Sequence, residues 1–170
     1  QDNAVTWLDW RRLRANRDLY EYTKQLICFR NGHPVFHREQ VLKGIDYRSF
    51  GSPDISFHGR EAWKPMLDYS YRHIGVMYCG KYAEDEHGQP DADFYVAYNM
   101  HWEPHEFALP KLLKNGRWKL LLCTDGEKAQ ERAAEDCVRE SVVTLPGRSV
   151  GIYISEEAPK QRIGGGKRQT

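Results

Sequence analysis

A chain of 170 residues with 40% hydrophobic and 29% charged side chains has the size and balance of one packed domain with a partial second, not of a disordered or fibrous protein. Its formal net charge of +1 supplies no overall field to recruit nucleic acid or an anionic membrane, so an uncharged partner is expected. No apolar run approaches the ~20 residues of a membrane helix, and no signal-peptide pattern opens the chain, which predicts a soluble, cytoplasmic protein.

In chain order, the first element is residues 18–31, DLYEYTKQLICFRN. Leu19, Tyr22, Leu26 and Phe29 fall at helical spacing, and Asp18 with Glu21 three residues later predicts an N-cap and capping box. Gly32 and Pro34 then stop the helix. Residues 33–65 hold glycines, prolines and single aromatics without a sustained period, which predicts a long irregular connection packed on something else.

After Pro65 the pattern changes to short β runs: 73–82, 93–101, 105–110, 117–124, 140–146 and 148–155, separated by polar turn material such as EDEHGQPDAD and PGR. They predict an antiparallel β-sandwich. In DFYVAYNM, Phe94, Val96, Tyr98 and Met100 alternate with Tyr95, Ala97 and Asn99, so both faces are apolar and the strand is central. The expected organisation is 1–65 as helix and junction, 66–155 as sandwich, and 156–170 as tail. Cys28, Cys79, Cys123 and Cys137 show neither a C-x-x-C pair nor zinc spacing. Those in LICF, VMYC and LLLC read as small buried hydrophobes in a reducing compartment.

The stretch NMHWEPHEFALP places His101, Glu103 and His105 at alternate positions, as a strand-borne metal site would. Pro104 interrupts that alternation by removing an amide and fixing φ. The helical zinc pattern H-E-x-x-H also fails, because the glutamate is displaced and proline forbids the helix. HWEPH therefore reads as a hairpin connection with Trp102 packed on the sheet, and no metal or other cofactor is expected.

Gln1-Asp2-Asn3, Trp7, Asp9-Trp10, Arg30, His33 and Pro34 match a pattern in which Q-D-N leads into W-x-D-W and a helix ends in L-x-x-x-R-x-x-H-P. This pattern resembles the end of the catalytic barrel in the isoamylase-type glycogen debranching enzymes of the α-amylase superfamily. FYVAYNMHWEPHEFALP, WKLLLCTD and PGRSVGIYI are similar to strands of that family's C-terminal β domain. The resemblance covers most of 1–38 and 93–155. In between it is looser, resting on Asp54, His58-Gly59 and Trp63.

The resemblance implies a parent glycoside hydrolase that cleaves α-1,6 branch linkages of a glycogen-like α-glucan with retention. Its two catalytic carboxylates, about 5–5.5 Å apart, and a third stabilising aspartate would lie upstream of Gln1. The segment itself is then expected to be inactive, a piece of a longer polypeptide that braces the barrel. Its first helix would be the barrel's last, and its apolar stripe is expected either to fold back on residues 33–65 or to pair with a second copy.

Asp2 and Asn3 are the substrate-contact candidates in that parent, at the C-terminal face of the barrel. Their competing role is capping of the turn before WLDW. Trp7 and Trp10 suit either sugar stacking or burial against the helix. His58 and Trp63 read as a packed junction, and Glu135, Asp136, Arg139 and Glu140 as a solvated strand edge. Two other functions stay open: a free-standing carbohydrate-binding module using Tyr95, Trp102 and Trp118, and a metal-dependent β-sandwich enzyme using His101, Glu103 and His105.

Overall fold

The computed structural model describes residues 2–68, 70–113, 116–125, 137–138 and 142–156. Two helical pieces come first, α1 (Arg12–Ala15) and α2 (Arg17–Gly32), which meet at Asn16. The expected helix is present, but the capping box is not. Asp18 lies inside the first turn, and no side chain caps the start. Glu21 is instead engaged by Arg17 and Lys24, at 3.0 Å each. Its carboxyl is held below the usual range, first by the Lys24 hydrogen bond. A 3-10 turn, Pro34–Phe36, follows.

The strands are β1 (Ile55–His58), β2 (His73–Tyr78), β3 (Phe94–Asn99), β4 (His105–Ala108), β5 (Arg117–Cys123), β6 (Cys137–Val138), β7 (Val142–Leu145) and β8 (Ser149–Glu156). They form an antiparallel six-stranded sheet in the order β1-β2-β3-β8-β5-β6 and a two-stranded sheet of β4 and β7. The protein is thus mainly β with the sandwich-like packing expected from the sequence. β3 is central, paired with β2 and β8.

Alternation along β3 divides the core in two. Tyr95 and Ala97 face the small sheet, where they join Met77, Phe107, Trp118, Leu145 and Tyr153. The Trp118 indole N–H donates to the Pro110 carbonyl at 2.7 Å, so its polar edge is satisfied in that apolar setting. Phe94 faces the other way, onto Val35, Phe36 and Phe29 at the end of α2. The helix therefore docks on the outer face of the large sheet by its last turns. Gly75 lies where a Cβ would strike the Tyr95 phenol, so glycine at that position lets the ring cross β2.

The connection 99–105 is not a hairpin. β3 and β4 belong to different sheets, and HWEPH is a corner that carries the chain from one to the other. A second corner, between β7 and β8, crosses beside it. The Asn99 amide N–H groups donate to the carbonyls of Glu103, Leu145 and Pro146 at 2.9, 3.1 and 2.8 Å, and the Arg148 N–H donates to the His101 carbonyl at 2.7 Å. Gly147 permits the close approach, since a Cβ there would meet the Trp102 backbone.

Strand β1 falls inside the segment expected to be irregular. Its alternation is inverted in polarity: Ser56 and His58 are buried and Phe57 is exposed. Of the cysteines, Cys79 is buried, Cys123 is half-buried, and Cys28 is exposed on α2 rather than in the core. No helix among the described residues is long and apolar enough to cross a membrane. The acidic cluster of Glu135, Asp136, Arg139 and Glu140, and the tail after Glu156, lie outside the described residues, as does the Cys137 side chain.

Candidate functional site

The N-terminal candidates form a local turn. Asn3 Oδ1 accepts the Val5 amide at 3.0 Å, its carbonyl accepts the Thr6 and Trp7 amides at 3.0 and 3.2 Å, and Asp2 accepts the Trp7 indole N–H. Trp7 and Trp10 are 63% and 73% exposed, so neither is buried against α2 as the sequence suggested. The helix uses Phe29 to dock and leaves these indoles at the surface.

His58 and Trp63 are joined, as a packed junction requires. His58 is fully buried; its Nδ1 accepts the Trp63 amide at 2.8 Å and its Nε2 lies 2.9 Å from Ser56 Oγ. An Nδ1 that accepts must be unprotonated, so the proton resides on Nε2 and is donated to Ser56. That direction rules out His58 as a base activating Ser56. Burial lowers its pKa to about 4. Trp63 has φ of 66°, a left-handed conformation that costs a bulky residue about 1–3 kcal/mol, and it remains 49% exposed.

Asp54 anchors the same junction. Its buried carboxylate accepts the amides of Lys43, Gly44 and Ile55 at 2.9, 2.8 and 2.9 Å, with Arg38 at 3.8 Å. A buried charge with this many donors is a structural knot that folds residues 38–55 onto the sheet edge.

The residues of HWEPH meet a partner that the sequence had not singled out. His73, at the start of β2, stacks on His105 of β4 with centroids 4.1 Å apart and planes 13° apart, and His101 stands edge-on to His105 at 4.8 Å. Near-parallel rings point their nitrogen lone pairs along parallel planes, not toward a common point. His101 Nδ1 is already engaged by the Glu103 amide at 3.1 Å. Among the described residues, no three His, Cys, Asp or Glu side chains converge as a metal requires. Trp102 is not packed on the sheet: it is 60% exposed, stacked on His101 with the Arg72 guanidinium 5.3 Å from its ring centre. Of the proposed aromatic row, Tyr95 and Trp118 are buried between the sheets, so only Trp102 is at the surface.

Beside the imidazole stack a cleft of about 870 Å³ opens between residues 60–66 and the edge of β4. Tyr71, His73 and His105 line its floor side, and Arg60, Glu106, Glu61 and Lys64 its rim. Arg60 pairs with Glu106 at 3.0 Å, and Lys64 with Glu61 at 2.6 Å. The His73 pKa is lowered, first by burial and then by its imidazole neighbours. The chemistry offered is an aromatic ring, imidazoles and internally paired charges, without a nucleophile–base arrangement. Sequence reasoning missed Tyr71, His73 and Arg60 because they stand in no motif. They meet His105 and Glu106 only through the sheet-to-sheet corner.

No protein-family model matches the chain. Proteins named "Glycogen operon protein GlgX homolog" from Mycobacterium bovis and Mycobacterium tuberculosis are 30% identical to it over 122 residues, covering 65% of this chain and 16% of theirs. The aligned part of the chain thus spans only a small share of these relatives.

Proposed function

We propose that the chain is the C-terminal β-sandwich portion of an α-glucan debranching glycoside hydrolase whose catalytic barrel precedes it. The alignment to proteins named for the glycogen operon carries this reading, in agreement with the Q-D-N, W-x-D-W and R-x-x-H-P residues and with the antiparallel sandwich behind them. The parent hydrolyses α-1,6 branch linkages with retention, in the cytoplasm. This portion braces the barrel through α2 and the Asp54 and His58 junction. Asp2 and Asn3 approach the glucan from the end of the last barrel strand, and the exposed flank of α2 pairs with a second copy when nothing else covers it.

The carboxylate pair that a retaining mechanism needs is then supplied by the barrel. The chain alone releases no reducing sugar from glycogen, pullulan or starch, whereas the chain joined to its barrel releases linear chains from glycogen. Reducing-sugar release by the chain alone, retained through repurification, overturns the reading, as does a joined protein inert on branched glucan.

A further inference from the structure

The cleft beside the imidazole stack is rich in groups that recognise hydroxyls and poor in net charge. Its rim carries two cations and two anions, each cation already paired across a short distance. Two cations and two anions balance in charge, so the surface favours neither sign. Tyr71 is 42% exposed with its ring edge-on to His73, an accessible aromatic surface beside two imidazoles. His73 and His105 both line the cleft, with their rings stacked 4.1 Å apart. Guanidinium and carboxylate groups present paired hydrogen-bonding edges suited to vicinal hydroxyls and an imidazole nitrogen a single one, while Tyr71 offers a face for the C–H side of a sugar ring. The volume, about 870 Å³, lies within the range of small-molecule sites.

We infer that this cleft is a non-catalytic binding site for a short run of neutral, α-linked glucose units, with Tyr71 as the stacking platform and His73, Arg60 and Glu106 as the hydroxyl-binding groups. It rests on the debranching reading for the identity of the sugar. For the rest it depends only on the geometry and charge balance of the cleft. In the parent such a site would hold glucan away from the reacting bond.

The test is titration of the chain with maltoheptaose, read by the histidine ring resonances in carbon-labelled protein and by calorimetry. Cellohexaose and a sulfated dextran serve as comparison ligands. Saturable shifts at His73 and His105 are expected, with affinity reduced about fivefold or more in Tyr71→Ala and unchanged in Tyr20→Ala; an unchanged melting temperature in Tyr71→Ala separates lost contact from lost fold. Cellohexaose and the sulfated dextran should bind more weakly than maltoheptaose.

Binding that survives Tyr71→Ala, shifts confined to residues outside the cleft, or no saturation at roughly 10 mM maltoheptaose overturns the site while leaving the debranching reading intact. Stronger binding of the sulfated dextran overturns its neutrality, and stronger binding of cellohexaose overturns the α-linked ligand. Failure of the joined protein to act on glycogen removes the debranching reading independently of these shifts.

Discussion

His58 shows how a residue type associated with chemistry becomes a structural part. It is fully buried, and its two ring nitrogens are committed to the Trp63 amide and the Ser56 hydroxyl. The folded protein therefore holds the neutral ring, with a pKa near 4 against 6.5 when free. Between those values the unfolded chain binds the proton more readily, so stability rises with pH across the window. It is complete above 6.5 and is lost as pH falls toward 4, by on the order of 3 kcal/mol if this residue acts alone. His73, with its pKa lowered chiefly by burial, adds in the same direction. Denaturant unfolding at about pH 7.5 and about pH 4.5 should show this slope in the wild type and a shallower one in His58→Gln. Equal slopes in the two proteins would refute the assignment. In the sequence, only the junction role of His58 was legible; its tautomer depends on a turn whose left-handed residue, Trp63, carries no glycine signal.

At the scale of elements, α2 was the most legible part of the chain and its docking the least. Period and stop signals located the helix, because an apolar stripe and a Gly-x-Pro exit are local properties. The partner surface is not local. Phe29 meets Phe94 edge-on at 5.6 Å and Phe36 at 5.4 Å, whereas Leu19, on the same predicted stripe, is exposed. Phe29→Ala should therefore cost about 2 kcal/mol, less than the 3–5 kcal/mol of a fully buried phenylalanine. Leu19→Ala should stay within about 0.5 kcal/mol. Urea midpoints at neutral pH compare the two directly, and equal losses would mean that the helix docks along its whole length. Strand β1 escaped sequence reading for a related reason: its buried side chains are Ser56 and His58, so polarity runs opposite to the usual signal. HWEPH looked like a hairpin because a turn between strands is visible locally, while a change of sheet is decided by Asn99 reaching carbonyls on both corners.

At the scale of the whole molecule, one side of α2 and the segment before it have no cover among the described residues. Trp7, Leu8, Trp10, Tyr20 and Ile27 are all exposed, although aromatic and aliphatic side chains gain roughly 1.5–3 kcal/mol each when fully buried. An apolar surface of this kind drives association when its partner is missing. In the proposed parent that partner is the barrel; for the chain alone the proposed partner is a second copy. The two faces of the helix can be separated by mutation, because neighbouring residues point in different directions. Leu26 is half-buried on the docked side, so Leu26→Asp should lower stability by about 1–3 kcal/mol by lifting the last turns of α2 from the sheet. Ile27 points to solvent, so Ile27→Asp should leave the melting temperature nearly unchanged and convert a concentration-dependent dimer into a monomer. Sedimentation velocity over a wide concentration range, with thermal melts of the same samples, reads both effects. If the wild type stays monomeric at every concentration and matches Ile27→Asp, pairing through this flank is wrong. If Leu26→Asp also leaves the melting temperature unmoved, α2 contributes nothing to the stability of the sandwich, and its role as a brace between barrel and sheet fails with it.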